Sequence, residues 1–374
     1  MANRENNPIR TAGPVWLGID VGGTTVKLAL FQADSCDAGD KAAAADIGDD
    51  AAAADIGDTA AAVDTGSLSH LTEIGRKVIP TRTENEGKQI MPDIAAAVRS
   101  LAEECGIPVS SIEGAGMGVP GPVLNKTDRG YPVAGCVNLN WTDICYPGEE
   151  LRDLTGIRRI CLLNDANAAA LGELYFGARG KDASETTAVM ITIGTGIGGG
   201  IITGGRIITG AFGAAGEVGH MPIVPADPLL QTLRSADSDF GAGADLEYFT
   251  SATGIARAAS GLLQISGEDS ALRTCGEVTA KDVFDAAKQG DSLALQIAEF
   301  FFNTLGQGLA AIASVVDPDL FIIGGGVAAA GGYLLDGLQE AYRRQVFHAS
   351  RKTSFCLAQL GNDAGLLGPL VPLL

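Results

Sequence analysis

Three short stretches of the chain combine residue types that suit proton transfer and the binding of hydroxyl groups. In GEVGHMPIV (216–224), Glu217 and His220 lie three apart, which puts both on one side of a turn; the chain has only three histidines. That spacing alone fits a metal site, a hydroxyl-binding pair or a filled bend. In RRICLLNDANAAALGE (158–173), Asn164 and Asp165 follow an apolar run and open an alanine-rich helical pattern. Both residue types cap helices. A carboxylate at such a corner can also take a proton from a hydroxyl nucleophile, and the end of a strand is where α/β proteins place ligand contacts.

The third feature is a pair of glycine turns. Asp20-Val-Gly-Gly-Thr-Thr follows the apolar VWLGI, and Ile193-Gly-Thr-Gly-Ile-Gly-Gly-Gly follows TTAVMIT. Glycine lets backbone N–H groups crowd a phosphate without side-chain clash. Neither turn is a GxxxxGK[ST] loop, and neither is a dinucleotide fingerprint opening a helix. One such turn is weak evidence. Two of them, with a third glycine run (Gly324-Gly325-Gly326) after DLFII, point to phosphate binding. Asp20, at its strand end, is placed to hold a hydrated Mg²⁺ facing those phosphates.

These residues need strands that end in turns, and the sequence supplies them. VWLGIDVGG reads as a strand running into a glycine turn, TTVKLALFQ as the strand returning from it, RKVIPTRT as another strand, and MPDIAAAVRSLAEECGIP as an amphipathic helix stopped by Gly106-Ile-Pro. IEGAGMGVPGPV is a strand ending in Gly-Val-Pro-Gly-Pro, a rigid bend. TTAVMITIGTGIGGGIITGGRII is a glycine-interrupted hairpin, followed much later by a long helix (292–316), the strand DLFII, a further helix and a last strand. Strands, helices and hairpins alternate, so the expected fold is α/β with mixed sheets in two lobes.

At 374 residues the chain is long enough for two cores. A net charge of −19 argues against nucleic acid as a partner, though amides can still bind a phosphorylated small molecule locally. Seven scattered cysteines with no CxxC pair suggest neither a disulfide framework nor a cysteine-rich zinc module. With no apolar signal core and no 18-residue apolar span, the expected setting is cytoplasmic, away from membranes. KAAAADIGD, DAAAADIGD and TAAAVDTGS (41–67) are tandem nine-residue units, read as an expanded acidic surface loop without chemistry.

LGIDVGGTTVKLALF, GMGVPGPV, LLNDANAAALGE, ITIGTGIGGGII, GAAGEVGH and FIIGGGVAAAG stand in an order that resembles the successive signatures of the ROK family of sugar kinases and sugar-responsive repressors. The resemblance runs from about residue 15 to the end. It implies the two-lobed actin/hexokinase-like ATPase fold, ribonuclease H-like, with mixed sheets flanked by helices and a ligand cleft between the lobes. The expected lobes are 14–138, 139–355, and a return of 356–374 to the first. It also implies ATP as phosphoryl donor and phosphorylation of a hexose, most simply glucose, at its 6-hydroxyl. Other sugars (N-acetylglucosamine, N-acetylmannosamine, fructose) are the alternatives. A repressor is less well matched, because only about 14 residues precede the first strand and the chain is acidic. A homodimer or homotetramer is the implied assembly.

Carried over position by position, Asp20, Gly22, Gly23, Thr24, Thr25 and Lys27 form the first phosphate segment. Gly194, Thr195, Gly196 and Gly198 form the second, and Gly324, Gly325 and Gly326 border the adenine. Asp165 is the implied catalytic base. Gly121, Asn138, Asn164, Glu217, His220 and Glu247 are implied sugar contacts. The pattern fails in one place. Where the family has Cys-x-Cys-Gly-x-x-Gly-Cys-x-Glu, whose cysteines join the histidine on zinc, this chain reads SDFGAGADLE. Ser238, Phe240 and Asp245 replace the cysteines. Phe cannot ligate a metal and Ser does so poorly, so no structural zinc is expected, and Phe240 and Leu246 are expected to anchor this segment by packing.

Overall fold

The structure is a computed structural model, and it describes residues 13–33, 71–125, 127–178, 180–237 and 240–374. The nine-residue repeats of 41–67 and Ser238 lie outside the described residues. The chain divides into two compact units, one of Met1–Ser184, Ala211–Gly213 and Asn362–Leu374, the other of Glu185–Gly210 and Ala214–Gly361.

The first unit is built on a sheet of order β3-β2-β1-β4-β5. Its strands are β1 (Val15–Val21), β2 (Thr25–Ala33), β3 (Leu71–Pro80), β4 (Ile112–Val119) and β5 (Arg159–Asn164). β1, β2 and β3 form an antiparallel meander, while β4 and β5 continue parallel to β1. Helices α1 (Ile90–Glu104), α2 (Pro147–Thr155) and α3 (Asp165–Gly172) complete the unit. β1 is apolar along nearly its whole length because it is covered on both faces. On one of those faces Gly18 and Gly116, cross-strand partners, let the C-terminal segment lie against the sheet. A β-carbon at Gly18 would sit 2.4 Å from the Leu366 carbonyl oxygen, and one at Gly116 would sit 2.5 Å from that of Pro369. This is the physical basis of the chain's return to its first unit.

The second unit repeats the plan. Its sheet has the order β10-β9-β6-β7-β8, from β6 (Ala188–Ile193), β7 (Ile197–Thr203), β8 (Arg206–Ile207), β9 (Leu320–Gly324) and β10 (Ser354–Leu357). Again three antiparallel strands are followed by two parallel ones. Helices α4 (Pro228–Ala236), α5 (Leu246–Thr250), α6 (Ala252–Ile265), α7 (Ala280–Lys288), α8 (Ser292–Val316) and α9 (Gly332–Gln345) belong to this unit. Its core is rich in phenylalanine, with Phe300, Phe301 and Phe321 fully buried.

The division between units differs from the expected 138/139 boundary. β5 hydrogen-bonds to β4 and α3 follows it directly, so the first unit runs on to Ser184. At the other end β10 pairs with β9, which keeps residues up to Gly361 in the second unit.

Candidate active site

In the first unit the carboxyl ends of β1, β4 and β5 share one sheet edge. Asp20 is the register partner of Gly118, and Val119 is the partner of Asn164. Asp20 also faces Lys27 across the β1–β2 ladder, and their side chains pair at 3.0 Å. The turn between those strands closes through Gly22 N–H donating to Thr25 O at 3.0 Å. Thr81, just beyond β3, clamps it: its hydroxyl donates to Gly22 O at 2.6 Å and its N–H to Thr24 O at 2.9 Å. Gly23, Thr24 and Thr25 are exposed on this turn. Gly23 lies against Asn138, whose carbonyl oxygen would be 3.3 Å from an added β-carbon.

Asp165 is the exposed first residue of α3. Asn164 before it is 9% exposed, and much of its side chain is spent on the chain itself. Its Oδ1 accepts from Ala166 N–H (3.0 Å) and Asn167 N–H (3.3 Å), and its Nδ2 donates to Gly121 O (3.0 Å). Asn164 therefore caps the helix and ties the Gly118–Gly121 bend to the start of α3, which fixes where the Asp165 carboxylate stands. Burial pushes the neighbouring Cys136 thiol up, so it stays protonated near neutral pH.

In the second unit the β6–β7 turn is held from one side. Ala252 N–H donates to Gly194 O at 2.8 Å and the Thr253 hydroxyl to Thr195 O at 2.9 Å, both from the start of α6. In a trans peptide the N–H opposes the C=O. The N–H groups of Thr195 and Gly196 thus point away from α6, as an anion-binding turn requires. Beside the turn is a cavity of about 350 Å³, lined by residues that include Gly194, Thr195, Phe284, Gly326 and Val327. Lys281 and Asp285, paired at 2.6 Å, also line it. Gly325 makes the close approach of β9 to β6 possible. Its φ is +83°, and an added β-carbon would sit 2.4 Å from Ile193 O. Gly198 lies in β7 opposite Thr192.

Glu217 precedes the single helical turn Val218–His220 and His220 ends it, and both are exposed. The His220 ring nitrogen Nδ1 is 3.2 Å from Asp245 Oδ2. That hydrogen bond, with the charges of Asp245, Glu247 and Glu217, raises the His220 pKa above its ordinary value. Glu247 accepts from Ile197 N–H at 2.8 Å, and its Oε2 would be 2.5 Å from a β-carbon at Gly196. Glu247 is thus placed against the glycine turn itself.

Phe240 and Leu246 anchor this region by packing. Phe240 is 6% exposed, with its ring centroid 5.8 Å from that of Tyr248 and 6.3 Å from that of Phe249. Leu246 is fully buried against Gly308 of α8. Among the described residues no group of three or more His, Cys, Asp and Glu is arranged to hold a metal ion. The donor set around Asp20, a single carboxylate beside Lys27, fits a cation held through water rather than one gripped by several side chains.

The sequence-predicted residues fall into two groups, one in each unit. Thr81, Lys281 and Phe284 were missed. Thr81 acts on a turn 59 positions away, which no local pattern reveals. Helix α7 did carry a signal, the Thr279–Asp282 capping box.

Comparison with known proteins places these features in a family. The model of the ROK family matches residues 51–371. A glucokinase from Halalkalibacterium halodurans is 32% identical over 361 residues, covering 94% of this chain and 93% of that one. A ROK family glucokinase from Streptomyces griseus, solved with glucose and AMPPNP, superposes with a TM-score of 0.61 at 28% identity, covering 95% of this chain and 97% of that one. A ROK hexokinase from Thermus thermophilus gives 0.65 at 26% identity, covering 96% and 97%.

Proposed function

The chain belongs to the ROK family and has its actin/hexokinase-like ATPase fold, and from that premise we propose that it phosphorylates glucose at the 6-hydroxyl with ATP. It is a hexose kinase. The observation that carries the reading is Asp165, exposed at the end of β5 and held in place by the helix cap Asn164. It stands on the same unit as the Asp20–Thr25 phosphate turn.

The 6-hydroxyl oxygen attacks the γ-phosphorus, its proton passes to the Asp165 carboxylate, and the bond to the β-phosphate oxygen breaks to release ADP. The amides of Gly23 and Thr24, those of Thr195 and Gly196, and the Lys27 ammonium stabilise charge on the transferring group. Asp20 would hold a hydrated Mg²⁺ through water, and the ion would supply further charge neutralisation. The base of the nucleotide occupies the cavity lined by Phe284, Gly326 and Val327, with Gly324 and Gly325 leading the chain to it from β9. The proposed contacts to sugar hydroxyls are, in the first unit, Asn138 and the remaining amide proton of Asn164, beside Gly121, and, in the second unit, Glu217, His220 and Glu247. No helix among the described residues is long and apolar enough to cross a membrane, which accords with a cytoplasmic enzyme acting on small molecules.

A coupled assay across glucose, N-acetylglucosamine, N-acetylmannosamine and fructose, with ATP and polyphosphate as donors, tests the reading. The highest kcat/KM belongs to glucose with ATP, and the product carries phosphate on the 6-oxygen by NMR. A higher kcat/KM for an N-acetylated sugar contradicts it.

A further inference from the structure

The Asp245 carboxylate is divided between two tasks. Oδ1 accepts from Tyr248 N–H at 2.9 Å and so caps α5, while Oδ2 meets the His220 ring at 3.2 Å. Its backbone is pinned as well. Asp245 forms an antiparallel bridge with Pro222, and the next residue, Leu246, donates to Met221 O at 2.9 Å. The strip that follows His220 is therefore stitched to the residue that holds its ring. Helix α5 is in turn fixed to the core. Leu246 fills the notch at Gly308, and Phe249 packs edge-on against Phe300 with ring centroids 6.1 Å apart. The same helix carries Glu247, whose carboxylate holds the Ile197 amide of the phosphate turn.

His220 itself is 70% exposed, against 33% for Asp245. A histidine with that much freedom samples several rotamers and either tautomer unless something fixes it. Asp245 is placed to fix both. When the neutral ring donates from Nδ1 to the carboxylate, Nε2 is left as an acceptor of fixed direction.

We propose that Asp245 is a positioning residue for sugar binding: it orients His220 from the capped start of α5 and ties the Glu217–His220 segment to the helix that holds the phosphate turn. This rests on the reading that His220 contacts the sugar. The two ideas separate experimentally. Asp245→Ser keeps an oxygen that can cap α5 but is too short to reach the ring, so it removes the orienting contact alone. In this variant the KM for glucose rises about tenfold, the loss of one oriented hydrogen bond, while the KM for ATP stays within about twofold. Asp245→Asn, which keeps the reach, gives an intermediate glucose KM. With three histidines in the chain, long-range ¹H–¹⁵N NMR at mildly alkaline pH reports the ring directly. The wild type shows His220 protonated on Nδ1, and Asp245→Ser shows a mixture of tautomers. If Asp245→Ser keeps the wild-type glucose KM while His220→Ala raises it, the positioning role is wrong and the sugar contact stands. If His220→Ala itself leaves the glucose KM unchanged, the contact fails and the proposal with it. An unchanged tautomer in Asp245→Ser also overturns it.

Discussion

Asn164 caps α3 and its neighbour Asp165 is the proposed base, and substitution separates the two roles. Asp165→Asn keeps the shape of the exposed carboxylate and removes its ability to take a proton, so kcat falls about 10²–10⁴-fold. Asn164→Ala deletes the cap and the tie to Gly121 O, which costs stability of about 1–2 kcal/mol by denaturant titration and lowers kcat through misplacement of Asp165. Both residues were legible in the sequence, since a polar pair between an apolar run and an alanine-rich run has few other uses. The division of labour was not, because the partner of Asn164 lies 43 positions away in a bend. The legible role of Glu247 was similarly partial: its match to the family implies a sugar contact, and only the fold brings it against Ile197 N–H.

At the scale of elements, the two glycine turns and the aromatic anchor of α5 set the geometry. The Gly325 backbone is left-handed and pressed on Ile193. Gly325→Ala must therefore shift β9 against β6, which raises the KM for ATP and lowers the melting temperature together. Phe240→Ala opens a void beneath Tyr248 and Phe249 and costs about 3 kcal/mol, measured by chemical denaturation. The His220–Asp245 pair gives stability a pH dependence. The folded pKa of His220 is raised, by the Asp245 hydrogen bond first. Its contribution is full below the ordinary histidine value of about 6.5 and is lost as pH rises through the folded value. Wild type is therefore more stable than Asp245→Ser by a margin that shrinks as pH rises above about 6.5 through the raised folded value, and the effect is small because the ring is 70% exposed and screened. The strands were readable from their apolar runs. The short helix α5 was not, because five residues give no periodicity and its stability comes from packing that the sequence does not display.

Across the whole molecule, two sheets of identical strand order each place a glycine turn between their first two strands. That repetition explains why the sequence carries two similar glycine-turn motifs about 170 positions apart. The boundary between the units was hidden because β5 joins its sheet through non-local pairing with β4. Residues 41–67 carry none of the proposed site residues, and replacing them with a short glycine-containing turn leaves kcat and KM within about twofold, since loop-closure entropy changes slowly with length. The central claim, that this chain transfers the γ-phosphoryl group of ATP to glucose with Asp165 as the base, is tested most directly by one comparison. Glucose binding by calorimetry and glucose 6-phosphate formation are measured side by side for the wild type and Asp165→Asn. The account predicts glucose 6-phosphate from the wild type, and for the variant a glucose Kd within a few-fold of wild type with turnover lower by about 10²–10⁴. Turnover near wild type in a variant that binds glucose normally would contradict it.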